Sequence, residues 1–290
     1  MIKNKKTGVV VAAAFAFALV LQGCSGQAIE WTEKVEASTI GEESGSGEWN
    51  VKKKSFAGDE FDSIYVDTEA MAIEVTRSET GTAEIELRTD KAIDNRFGFD
   101  ASVQSKELKL TVNEDEQKGI LAANKQNGSR KLVIALPDQL YDKVTIRNNF
   151  GIVEANDVKS GSLDIQVDAG AIRISGVQGS MKLKTSAGEI SVEGVKLDND
   201  LIATADIGAI DIRLEETPTA ADIDLKSDLG KVTANLGETR YSVDAGSEKV
   251  GKIGSGEHRL EAKTDVGAIS IDTKWGSASE ADTTRKAYGN

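Results

Sequence analysis

One cysteine, one histidine and two prolines in 290 residues are the scarcities that bound this chain. The lone Cys24 excludes an intramolecular disulfide, so stability must come from a packed core. Zinc sites built on several His or Cys ligands are excluded by count, and a histidine-based triad has a single possible base, His258. No Gly-x-Ser-x-Gly frames a nucleophilic serine. Aromatic content of 5% leaves few platforms for sugar stacking, and two prolines beside 28 glycines suit a turn-rich β protein. Positive charge is also short: 35 Lys and Arg face 48 acids, a formal charge of −13. Loss of Met1–Gly23, with its three lysines and no acid, would take that to −16. A chain this acidic is repelled by phosphate backbones and anionic headgroups, so no nucleic-acid partner is expected.

Only one apolar run is long, Val9 to Leu21, and it is too short for the roughly 20 residues that cross a bilayer. Lys3, Lys5 and Lys6 precede it and Leu21-Gln22-Gly23-Cys24 follow, the order of a bacterial secretory signal. The tetrad resembles a lipobox, with Gln22 a departure from the usual small residue. Residues 1–23 are therefore expected to be a lipoprotein signal peptide, and Cys24 the lipidation site. A diacylglyceryl group carries two chains, enough for stable anchoring. The expected address is the outer side of the cytoplasmic membrane. Residues 24–49 read as a flexible tether, since Gly41 to Glu48 has no apolar face and repels itself. Residues 277–290 are equally polar and are expected to be a disordered tail.

Between Val144 and Trp275 the chain repeats. Gly-x-[Ile/Val] recurs at Gly151, Gly170, Gly188, Gly208, Gly230 and Gly267, with first spacings of 19, 18, 20 and 22. The last gap, 37, fits two coils, the second being the degenerate stretch around Val243 to Ile253. Seven and five residues before each glycine, and two and four after it, stand apolar residues: Leu163, Ile165, Ile172 and Ile174 in one unit. Period two puts both sets on one face, and a fixed repeat near 20 means units that bury that face against their neighbours. The expectation is an all-β fold: a β-solenoid, parallel β-helix-like, over residues 141–276, preceded by a less regular β region over residues 50–140. A β-sandwich of hairpins is the alternative.

Two residues before each glycine stand Asn149, Asp168, Ser186, Asp206, Asp228 and Asp265. Such side chains can bond backbone two residues on. The rival reading, a calcium ladder of the four aspartates, lacks the Gly-Gly-x-Gly-x-Asp pattern of calcium-binding rolls and the six to eight oxygens Ca²⁺ takes. No metal, cofactor or catalytic residue is assigned. Outward rows, Arg147, Gln166, Lys184, Thr204, Lys226 and Lys263 beside Asp164, Lys182, Asp224 and Glu261, read as a solvated face with cross-rung ion pairs. His258, among Gly254-Ser-Gly-Glu-His258-Arg, reads as a turn residue.

Arg130-Lys-Leu-Val-Ile-Ala-Leu-Pro137, Tyr141-Asp-Lys-Val-Thr-Ile146 and Asn149-Phe-Gly151 lead into the repeats. With those motifs, the chain from about Phe56 to Lys274 resembles the bacterial "putative adhesin" family, a domain of unknown function on exported and membrane-anchored proteins. The resemblance implies a β-solenoid exposed at the cell envelope and brings no catalytic residues. The functional expectation is a non-enzymatic envelope lipoprotein that meets an unidentified protein or wall polymer, as an adhesin or a stress-signalling accessory. The alternative is a polysaccharide-active lyase or hydrolase, since carboxylates are abundant. Coils of 18 to 22 residues, however, leave little chain for a cleft.

Overall fold

Alternation with period two makes a strand of nearly every segment that carries it. The computed structural model describes residues 48–115 and 128–274, all within the unit Ser38–Asn290. Cys24, most of the tether and the tail 277–290 lie outside the described residues. In chain order the strands are β1 (Trp49–Ala57), β2 (Ser63–Ala70), β3 (Ala72–Arg77), β4 (Thr82–Asp90), β5 (Phe97–Gln104), β6 (Glu107–Glu114) and β7 (Arg130–Leu136). Three long strands follow, β8 (Leu140–Asn156), β9 (Lys159–Ser175) and β10 (Gln178–Val195). The rest are β11 (Leu201–Ile207), β12 (Ile210–Leu214), β13 (Ala221–Leu229), β14 (Val232–Ala234), β15 (Arg240–Asp244), β16 (Glu248–Ile253), β17 (His258–Val266) and β18 (Ile269–Thr273).

These strands stack as the rungs of a β-solenoid with two faces. Each rung contributes one segment before its corner glycine and one after it. On face one the parallel order is β6, β2, the first half of β8, then β9, β10, β11, β17 and β13. On face two it is β7, β3, the second half of β8, then β9, β10, β12, β18 and β14. The inward residues are in register: Val144, Leu163, Met181, Leu201, Leu260 and Ile223 face one another along one row. Val153, Ile172, Ile190, Ile210, Ile269 and Val232 do so along another. All twelve are buried. Burying each such side chain is worth about 1.5–3 kcal/mol, so the rows hold the rungs together. Parallel stacking in register excludes the sandwich of hairpins.

The order of rungs departs from the order of the chain. The last coil, β17–β18, lies between β11–β12 and β13–β14. The first coil, β2–β3, likewise lies between β8 and the rung made by β6 and β7. The stretch Val243 to Ile253 is therefore no coil. It supplies an antiparallel hairpin, β15–β16, laid on the outer edge of β13. The physical reason is that all coils carry the same inward pattern, so position in the stack is set by the connections. Residues 215–220 are long enough to step past one rung and leave the slot that β17–β18 fills.

Candidate functional site

The corner is the most constrained part of each rung. Gly151, Gly170, Gly188, Gly208, Gly267 and Gly230 form a column in stacking order. A Cβ on Gly188 would meet the Gly170 carbonyl oxygen at 1.6 Å, and one on Gly208 the Gly188 oxygen at 1.6 Å. Both residues have φ of +148°, open to glycine and closed to other residues. Glycine is thus required twice, by conformation and by contact between rungs.

At three of the six corners a supporting side chain sits three residues before the glycine, not two. At the others that inward position is Val167, Ala205 or Thr185, whose buried hydroxyl has no partner among the described residues. Asn148, fully buried, donates to the Met71 carbonyl at 2.9 Å and accepts from the Thr68 hydroxyl at 2.8 Å. Ser227 donates to the Gly267 carbonyl at 2.7 Å, and Thr264 to that of Gly208 at 3.1 Å. The polar residues two before the glycine point outward instead. Asp168, Asp228 and Asp265 are exposed and Asp206 half-buried. This corrects the expected turn chemistry: period two places that position on the outer surface, while Asn148, Ser227 and Thr264, one residue earlier, reach the neighbouring rung. Among the described residues no group of three His, Cys, Asp or Glu could hold a metal ion. His258 opens β17, opposite Ala221, and so is a strand residue just past its turn.

Outward rows on face one are mixed in charge and paired. Arg147 clasps Asp164 with bonds of 3.0 and 3.1 Å, and Lys263 reaches Asp224 at 2.7 Å and Glu261 at 3.1 Å. Hydrogen bonding to Asp224 holds the Lys263 ammonium above its usual range, burial opposes this, and Glu261 adds to it. On face two Arg173 pairs with Glu154 and Arg213 with Glu193. Burial pushes the Asp211 carboxyl up, Arg213 opposes that, and Asp272 and Glu193 reinforce it. Just after the glycines, Glu189, Ala209, Ala268 and Lys231 are exposed. Ala171, expected in that outward row, is buried.

One row was missed by the period-two reading. The residue just before each glycine is apolar: Phe150, Ala169, Ala187, Ile207, Val266 and Leu229 in stacking order. The larger ones are exposed, Phe150 by 52%, Ile207 by 60%, Val266 by 42% and Leu229 by 69%. They were visible in the sequence as a third apolar column, out of phase with the inward two.

Residues 140–272, which hold the corner glycines and the in-register apolar rows, fit the family model described as Toastrack DUF4097. This stretch is what the chain shares with the Toastrack family. It runs from β8 to β18, whereas β1 to β7 precede it and extend the same stack. Among solved structures, the chain is similar to a "putative cell adhesion protein" from Clostridium sporogenes, at 15% identity and a TM-score of 0.48, covering 78% of this chain and all of that one. It is also similar to a "putative adhesin" from Parabacteroides merdae, at 13% identity and a TM-score of 0.25, covering 79% and 97%. A third, a "putative adhesin" from Bacteroides fragilis, is 15% identical with a TM-score of 0.26, covering 77% and 97%. No curated protein matches the chain.

Proposed function

We propose that this chain is a non-catalytic lipoprotein of the bacterial envelope, anchored through a diacylglyceryl group on Cys24. In this reading the Toastrack solenoid presents an extended surface to a protein or wall polymer; a stress-signalling accessory is its narrower form. The observation that carries the reading is the continuity of both faces. Connections between the central rungs are two residues long, Asp157-Val158 and Gly176-Val177, so no loop rises there to wall a cleft. The outward charges are engaged with one another across rungs, as in a solvated binding surface. The crevice beside Thr76, Pro137, Gln139 and Tyr141 holds about 10 Å³, room for one water.

Capture of envelope components by the purified full chain is the test, paired with incubation on wall and plant polysaccharides. Capture without product release is expected. Sugar release that depends on a carboxylate pair would overturn the reading in favour of an enzyme. Anchoring has its own check: Cys24→Ala should abolish incorporation of labelled palmitate, and persistent labelling would refute the lipid site.

A further inference from the structure

The apolar row at the corner is not accounted for by folding, because its side chains point away from the core. An isolated exposed leucine needs no explanation, but an aligned apolar row rimmed by polar residues marks an interaction site. Every rung from β8 to β13 supplies a member, and three of the four large exposed ones adjoin: Ile207 faces Val266, which faces Leu229. Beside this ridge, on the face-one side, runs the row Asp168, Ser186, Asp206, Asp265 and Asp228. Lys226 engages Asp228 at 3.1 Å, and the amide of Gln166 approaches Asp168 at 3.4 Å. On the other side, Ala209 and Ala268 are small, leaving the ridge accessible, with Glu189 and Lys231 at the ends of that row.

We propose that the ridge docks a basic amphipathic helix of a partner protein. The inference rests on the interaction reading above and names the surface and the kind of partner. Charge selects the sign: a carboxylate row along a greasy seam favours lysine or arginine flanking an apolar stripe. Backbone chemistry selects the helix. The strands here already bond to rungs on both sides, so the corner offers no free edge to an extended peptide. A partner must therefore satisfy its own backbone, as a helix does. Spacing agrees: rungs lie about 4.8 Å apart, and helix neighbours three or four residues apart are about 5–6 Å apart. Five rung steps from Phe150 to Leu229 make a seam about 24 Å long, the length of a helix of about 16 residues. A second copy of this chain would bring one acidic row towards another. An anionic membrane would be repelled by the same row.

The test uses the full chain and a labelled helical peptide of about 18 residues, leucine on one face and lysine on the other, followed by fluorescence anisotropy. A peptide with glutamate for lysine is the control. The lysine peptide should bind and the glutamate peptide should not. The combined change Ile207→Ser, Val266→Ser and Leu229→Ser should weaken binding at least about tenfold. Melting should be little changed, since these side chains are exposed. Leu229→Ser alone, on the outermost rung, repeats the test should the combined variant misfold. Asp206→Asn with Asp265→Asn should weaken binding about threefold and flatten its salt dependence. Undiminished binding to the serine variants, or equal binding of the glutamate peptide, would overturn the proposal. So would serine substitutions that abolish binding to phosphatidylcholine vesicles or self-association while peptide binding is unmoved. Envelope capture that survives the serine changes would refute the ridge and leave the broader reading standing.

Discussion

The two ends of the stack solve one problem with unequal resources. Each leaves strand edges that could pair with another chain, and each carries antiparallel strands as a cover. At the first end β5 lies on β6, and β4 with β1 lies on β7, so both faces are covered. Lysines on β1 then bridge the faces. Lys54 donates to the Ala101 carbonyl at 3.1 Å and lies 5.3 Å from the Phe99 ring, while Lys52 reaches the Phe97 carbonyl and Asp94. Ile93 and Phe97, which follow β4 and open β5, are buried, as is Phe61 between β1 and β2. At the far end the β15–β16 hairpin covers face one, and β14 on face two is three residues long. Of the hairpin's strands only Ile253 is fully buried. A cover with a core beneath it is part of the cooperative unit. A cover without one opens locally.

The corner column, shared by all rungs, is where the whole comparison can be broken. Gly208→Val should cost about 3 kcal/mol or more, because the left-handed conformation and the 1.6 Å approach must both be relieved. Thermal unfolding measures this, with Gly246→Ala in the hairpin turn as the contrast: nothing lies within 4 Å of its Cβ. A small loss at Gly208 would mean the rungs are not in contact there.

Side-chain deletion sharpens the contrast between the ends. Phe61 stacks on Tyr141 at 5.9 Å, and Phe61→Ala should cost about 3–5 kcal/mol by denaturant unfolding. Val243→Ala in the far hairpin should stay within about 0.5 kcal/mol. Comparable losses would show that the hairpin is packed as tightly as the first cover. Amide exchange extends this to the backbone: β15 and β16 should exchange at least about tenfold faster than β4 and β7. Equal protection would make the two covers equivalent.

The smallest effects concern pH and have opposite signs in the first cover and on the inner rung of β12. Hydrogen bonds from Lys53 and Arg88 hold the Glu86 carboxyl below its usual range. A lowered folded value stabilises above the ordinary carboxylate pKa and is lost as pH falls through the folded one. Glu86→Gln should therefore lower the melting temperature at pH 7, with the difference closing on acidification. Asp211 is raised, chiefly by burial, so its charge costs stability once pH rises through the ordinary value. Asp211→Asn should raise the melting temperature at pH 7 and have no effect near pH 3. A melting temperature unchanged at pH 7 in either variant would refute the corresponding shift.

Much of one rung was legible before any coordinates. Leu163, Ile165, Ile172 and Ile174 were placed inward by alternation alone, and the glycine between the two pairs marked the bend. The polar support of the bends at Gly151, Gly230 and Gly267 lies one residue away from where the sequence pattern put it. Asn148, Thr264 and Ser227 act on a neighbouring rung, a contact that no window of sequence contains. The apolar ridge was legible in residue type but not in meaning, because Ile207 and Val266 become neighbours only when β17 takes its place beside β11.

The sequence by itself determined the coil: its inward rows and its glycine corner. Those are properties of nearby residues, governed by the two-residue period of a strand and by the conformational range of glycine. Only the tertiary structure decided the order of the rungs. Backbone ladders between parallel strands bond alike whichever coil is adjacent, and all coils here carry an interchangeable apolar face. What breaks that degeneracy is the reach of the connections and the covers at the two ends. By that means the first and last coils of the chain each came to lie one rung inside the stack.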